Sequence, residues 1–224
     1  MKRALWRLLL RARFVLWQHR RHDRLVLERR SGLPLVVLPG VLNPALFRTS
    51  GVVLDALHGG AVPAGATVLD LGTGSGVLAV AAARTARSVV AVDLNPAAVR
   101  CARINALLNG VEDRVEVREG DLFAPVAGER FDVVLCNPPF YRGEPRTPLD
   151  GALFSTDFAE RLSGALSLHL TPQGFALVVL SSDGDIAGFE AAFRDAGLAF
   201  QTVAERDLVS EQIRLYRLTL GRRP

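Results

Sequence analysis

The sequence predicts a single α/β domain built on a doubly wound, mostly parallel sheet of seven strands whose last strand runs antiparallel. Three observations carry this. From residue 66 onward, short and nearly all-apolar segments alternate with stretches of helical period. A glycine-rich turn follows the first apolar segment, and the final two apolar segments are joined by too few residues for a helical crossover. A chain of 224 residues, 49% hydrophobic and 22% charged, suits one such core and is too apolar to remain disordered.

Residues 3–20 have helical period, with Leu5, Leu8, Leu9, Ala12 and Leu16 on one face and Arg3, Arg7 and Arg11 opposite. A basic amphipathic helix is expected over 1–22, either packed on the body with a solvated basic face, laid on a phosphate backbone, or lying on a membrane surface. RLVLER and PLVVLPG then flank Arg30 to Leu33, and Gly32 can take positive φ, which predicts a β-hairpin within 23–40. The main domain is placed at 41–224. It opens with VLNPALFRTSGVVLDALHGG, which turns at Asn43-Pro44 and starts a short helix that Thr49 or Ser50 could cap.

Strands follow at 66–71, 88–93, 114–118, 131–136 and 174–180, with helical stretches near 76–86, 96–108, 153–169 and 186–196. Apolar runs of this kind belong to a parallel sheet covered on both faces. The segments 198–204 and 211–219 should form an antiparallel hairpin at the sheet edge.

The net charge of +4 is unevenly spread. Residues 1–30 hold ten of the 27 Lys+Arg against the two acids Asp23 and Glu28, so a basic arm precedes an acidic body. An anionic partner for the arm follows from that asymmetry. The excess of arginine over lysine is not itself functional, because Lys2 is the only lysine and Met1 the only methionine, a bias of genome composition. Cys101 and Cys136 lack paired spacing and point to a reducing, cytoplasmic setting. Arg7, Arg11 and Arg13 interrupt any signal-peptide core, and no segment reaches the roughly 20 apolar residues that span a bilayer. His19, His22, His58 and His169 show no metal-ligand pattern, so no metal is expected.

The chemistry sits at strand ends. Asp70-Leu71-Gly72-Thr73-Gly74-Ser75-Gly76 closes the first parallel strand and opens a helix. Glycines there let backbone approach a ligand, and the helix end offers free N–H groups. The spacing is G-x-G-x-G rather than the dinucleotide G-x-G-x-x-G, and the preceding acid suits a ligand carrying an ammonium group, such as S-adenosylmethionine. Asp93, in VVAVDLNP, can accept from both hydroxyls of a ribose; Asn95 before Pro96 is the better helix cap. Asp121, in EGDLF, is placed to accept from an adenine amino group. Three acids at the C-terminal ends of successive strands mark the place where open α/β sheets bind ligands.

Asn137-Pro138-Pro139-Phe140 ends the fourth strand. The prolines fix the backbone, so that the Asn137 side chain and the Pro138 carbonyl can stand as paired acceptors. Gripping the hydrogens of an NH2 on a planar carbon favours a more tetrahedral nitrogen with its lone pair directed at an electrophile, and Phe140 could stack on a flat substrate. Glu144, Asp150 and Asp157 follow in a candidate substrate loop.

DLGTGSG, VDLNP, GDLF and CNPPF, in this order, resemble the class I S-adenosylmethionine-dependent methyltransferases, and more narrowly the small-domain N-methyltransferases that modify release-factor glutamine, guanine N2 of ribosomal RNA or adenine N6 of transfer RNA. The resemblance spans about residues 35–219. It implies a Rossmann-like seven-stranded fold and a cofactor site of Asp70, Gly72, Thr73, Gly74, Gly76, Asp93, Leu94, Asp121, Leu122 and Asn137. It also implies that LPGVLNPALFRTS closes over the methionine end of the cofactor, with Phe47 and Thr49 in contact. Asn137, Pro138, Pro139 and Phe140 form the catalytic set. Phe140 stands where the glutamine-modifying members usually carry Tyr. The expected reaction is methyl transfer to a planar exocyclic amino or amide nitrogen, with an RNA base as the first substrate class. A glutamine side chain of a protein substrate is the alternative, a small metabolite remains open, and a non-catalytic RNA-interaction module is the reading from a different class.

Overall fold

The protein is described as a computed structural model covering residues 24–145, 149–208 and 211–221. The basic helix expected over 1–22 lies outside these residues. The described chain begins with an antiparallel hairpin of β1 (Val26–Arg30) and β2 (Leu33–Val37). Ser31 and Gly32 at its turn both have positive φ, 47° and 81°, the backbone of a two-residue turn whose twist matches its strands. Leu33 and Leu35 of β2 are buried, while Leu27 of β1 is exposed.

Helix α1 (Arg48–His58) follows, then β3 (Thr67–Leu71), α2 (Val77–Ala82), β4 (Ser88–Asp93), α3 (Pro96–Leu108), β5 (Val115–Glu119) and β6 (Phe131–Cys136). Two very short strands, β7 (Tyr141–Arg142) and β8 (Phe154–Ser155), pair in parallel beside the main sheet. The chain ends with α4 (Phe158–His169), β9 (Leu170–Ser181), α5 (Ile186–Asp195), β10 (Leu198–Leu208) and β11 (Glu211–Leu220).

The main sheet has seven strands in the order β10-β11-β9-β6-β3-β4-β5. From β9 to β5 all neighbours are parallel, and β11 is antiparallel to both β9 and β10. Alternate strand residues feed two cores. Val68, Val133 and Leu135 pack with α1, α2 and α3 on one face, and Leu69, Leu71 and Val134 pack with α4 and α5 on the other. Covering both faces is what makes the strands almost wholly apolar.

Two expected starts shift, and two expected ends: the helix read to 86 stops at Ala82 and the strand read to 204 runs on to Leu208. The helix read at 153–169 begins only at Phe158, because Phe154 and Ser155 pair with Tyr141 and Arg142 instead. The strand read at 174–180 starts at Leu170, which pairs with Phe131 ahead of a register shift, so the turn-like Thr171–Gly174 stretch sits inside the ladder.

The chain runs from β3 to β4 and β5 on one side, then returns to lay β6 against the other side of β3. This reversal opens a crevice at the C-terminal ends of β3 and β6, where Leu71 and Cys136 form the last register pair. Gly72 and Asn137 are the next residues on the two chains. Helix α2 fits close to α3 through Gly76, whose φ is 81° and whose added Cβ would lie 2.8 Å from the Cα of Ala102. Gly76→Ala should therefore destabilise the fold by roughly 2–5 kcal/mol, from left-handed strain plus overpacking. Equilibrium urea denaturation measures this directly.

Candidate active site

The glycine turn after β3 is held by the end of β4. Val92 carbonyl accepts from Gly72 N at 2.9 Å and Thr73 N at 3.0 Å. Asp93 Oδ2 accepts from Gly74 N at 2.8 Å, and Oδ1 accepts from Asn95 N at 2.9 Å. Gly72 and Gly74 have φ of 67° and 56°, left-handed values that turn their N–H groups as this loop requires. Burial raises the Asp93 carboxyl above its ordinary range, and the backbone N–H bonds oppose that rise. Asn95 caps α3 by accepting from Ala97 N, and its amide donates to Gly40 carbonyl at 2.9 Å, tying the 38–47 segment over the turn. Asn105, fully buried on α3, donates to Ser75 carbonyl and exchanges bonds with Val36, joining hairpin, helix and turn.

Asp70 stands differently from its expected place. It is 1% exposed and does not border the cavity; its Oδ2 accepts from Thr73 Oγ1 at 2.6 Å and Ala79 N at 3.1 Å. The acid braces the glycine turn from behind. Gly76 likewise lies outside the cavity wall and serves helix packing.

Desolvation pushes the Asp70 carboxyl up to about 7 from 3.8, with Asp93 adding to the rise and the Thr73 and Ala79 bonds opposing it. The folded state thus holds this proton more tightly than the unfolded chain. The associated stability is complete below about pH 4 and is lost as pH rises through about 7. Asp70→Asn keeps an acceptor for Thr73 and removes the titration, so its melting temperature should fall less between those pH values than that of the wild type. Parallel melting curves for the two proteins would contradict this account of Asp70.

A cavity of about 630 Å³ occupies the crevice, a volume ordinary for a site that buries a small molecule. Thr73, Asp93, Leu94, Asp121, Leu122 and Asn137 border it, as do Phe47, Thr49, Pro138, Pro139 and Phe140. Two buried polar atoms on its wall have no partner: Asn137 Oδ1 at the end of β6, and Thr49 Oγ1 at the start of α1. A buried acceptor left without a donor costs about 1–3 kcal/mol, so the orphan at Asn137 marks a place kept for a donor from outside. Thr49 and Ser50 do not cap α1. The helix begins at Arg48, with Phe47 in the cap position, and the Ser50 hydroxyl donates back to the Pro44 and Phe47 carbonyls.

Asp121 borders the cavity but pairs with Arg161 of α4, a cavity residue with no sequence signal beyond its spacing from Asp157. Leu122 has a φ of 46°, a strained backbone for a branched residue, at the same edge. Phe140 is only 7% exposed, packed against Tyr141, and close enough to Gly184 that a Cβ there would lie 2.7 Å from Cδ2 of the ring. It presents little surface for stacking. Phe154 and Phe158 are less buried and share the wall, together with Glu144 and Asp157; Asp150 is not on it.

The sequence profile of the methyltransferase small domain matches residues 39–188. A release factor glutamine methyltransferase of Geobacter sulfurreducens is 37% identical over 164 residues, covering 66% of this chain and 56% of its own. The ribosomal RNA small subunit methyltransferase C of Alcanivorax borkumensis is 30% identical over 188 residues, covering 83% of this chain and 52% of its own. This chain thus spans about half the length of the curated relatives it matches. Among solved structures, the Thermus thermophilus 16S rRNA N2 G1207 methyltransferase, in complex with AdoMet and guanosine, superposes with a TM-score of 0.64 at 25% identity. That superposition covers 88% of this chain and 50% of the other.

Proposed function

The chain belongs to the methyltransferase small domain family, and we propose that it is an S-adenosylmethionine-dependent N-methyltransferase whose acceptor is the exocyclic amino group of an RNA base. The observation that carries the reaction is the unpartnered, buried Asn137 Oδ1 beside the glycine turn.

The residues present fit the cofactor. Gly72 and Gly74 leave the cavity floor without side chains, and the Asp93 carboxylate keeps acceptor capacity beyond its backbone N–H bonds for a ribose hydroxyl. Leu94, 67% exposed, and Leu122 offer apolar contact for a purine, with Asp121 beside them. Phe47 and the free Thr49 hydroxyl stand in the wall contributed by the 38–50 segment. When bound, S-adenosylmethionine supplies a methyl group on a positively charged sulfur.

Everything else falls to the chain. Asn137 Oδ1 accepts one N–H of the incoming amino group, and the Pro138-Pro139 backbone fixes that acceptor in place. Withdrawing the nitrogen lone pair from conjugation and aiming it along the line of transfer is orientation catalysis, an effect worth up to about 7–11 kcal/mol. The nitrogen releases its proton after the new N–C bond forms, so no base has to act first.

An RNA acceptor is supported by the concentration of ten basic residues within 1–30 and by the relative with an RNA-modifying name that covers 83% of this chain. A glutamine side chain is the second reading, favoured by the 37% identical release-factor relative. Both acceptors present a planar NH2 to Asn137. Tritiated S-adenosylmethionine incubated with the protein and a cell extract separates them. Label removed by RNase supports the RNA base, and label removed only by protease assigns a protein substrate instead.

A further inference from the structure

We propose that Arg30, Arg48 and Arg206 form a phosphate-contact surface along α1 beside the cavity mouth, which grips the backbone of the nucleic acid whose base enters the cavity. This rests on the RNA reading and deepens it.

Arg30 of the hairpin and Arg206 of β10 converge on one glycine of α1. A Cβ on Gly51 would lie 2.5 Å from Arg30 Nη2 and 3.8 Å from Arg206 Nη1. Guanidinium groups do not give up their protons, so their repulsion cannot be relieved by titration. One carboxylate, Asp55, pairs with Arg206 one turn further along the helix. Among the described residues Arg30 has no such partner, and its buried Nε is unbonded.

Arg48 extends the surface. It is exposed and is the first residue of α1, a helix with no acid in its first turn, so the positive end of the helix adds to the arginine charge instead of being offset. Glu211 lies near Arg48 and also accepts from Ser181 Oγ, so it offsets part of this charge. The next two residues, Thr49 and Ser50, line the cavity, so the cationic strip starts where the cavity wall ends. A phosphodiester matches this arrangement because a guanidinium can donate two parallel N–H bonds to it.

Binding of the full chain to fluorescently labelled single-stranded RNA, followed by anisotropy across a salt series, tests the strip. Arg206→Gln and Arg48→Gln alter exposed side chains and leave the core intact. Each should weaken RNA binding several-fold at low salt and reduce the log-log salt slope by about 0.7, one phosphate contact on a single strand. Binding of S-adenosylmethionine should not change. Arg194→Gln, on α5, makes the same change in net charge away from the strip and should leave the slope as it is. If the wild type binds RNA with a clear salt slope and both variants match it, the strip is not a phosphate contact and the RNA reading stands. If the wild type binds no RNA and the transferred label is found in protein, the RNA reading falls and the strip with it.

Discussion

Replacing Asn137 by alanine should lower the rate of methyl transfer by roughly 100- to 1000-fold, the scale observed when one group aimed at the reacting centre is removed. The same change should leave the protein as stable as the wild type or more so. Asn137 Oδ1 is buried without a donor, so its removal relieves a desolvation penalty of about 1–3 kcal/mol against a small loss of packing. Asn105 shows the contrast: it is fully buried, but its amide is bonded to Val36 and Ser75 and holds the structure together. Loss of activity with unchanged melting and unchanged cofactor affinity separates a catalytic acceptor from a structural one. A variant that lost activity only because it unfolded would remove the argument for Asn137.

Asp93→Asn should weaken cofactor binding by about 100-fold. The carboxylate accepts from Gly74 N and Asn95 N at once, and the reading of the site gives its remaining lone pairs to a ribose. An amide replaces one of those acceptors with a donor, which faces either a backbone N–H or a ribose hydroxyl in the wrong sense. Hydrogen bonds to a charged acceptor contribute about 1.5–3 kcal/mol each, so losing one or two gives a change of this size. Titration calorimetry with S-adenosylhomocysteine reads it without need of a substrate. An affinity within threefold of wild type would show that Asp93 only pins the turn.

The sheet and its switch point were legible because they depend on local patterns. Apolar runs ending in Leu71, Asp93 and Cys136 place their following loops at one edge of a parallel sheet, whatever the tertiary detail. Side-chain direction was less accessible. The sequence sets Asp70 next to the glycine turn, yet at that register the carboxylate enters the core beneath the turn, where Thr73 and Ala79 meet it. Gly76 looks like part of a ligand loop, and only the approach of Ala102 reveals a packing role. Thr49 and Ser50 are both good capping residues, and one residue's difference in helix start moves them onto the cavity wall. Arg161 meets Asp121 across a sequence separation of 40, a contact that no local pattern encodes.

Side-chain direction also sets Phe140 apart from the sequence expectation. An aromatic after two prolines reads as a stacking platform, but its carbonyl accepts from Asp185 N and its ring is pressed by Gly184, which turns it into the body. Phe154 and Phe158, brought over the cavity by the β7–β8 pair and the start of α4, are the more accessible rings. Among the described residues no helix is long and apolar enough to cross a membrane, and Cys101 and Cys136 are buried and free.

Mass-spectrometric identification of the methylated atom, in product made by wild type and by Asn137→Ala at saturating S-adenosylmethionine, shows whether Asn137 directs transfer to an exocyclic nitrogen. The wild type should give a single methyl on an exocyclic amino nitrogen of an RNA base, and the variant only a trace. A methyl on carbon, oxygen or a ring nitrogen, or equal yield from the two proteins, would contradict it.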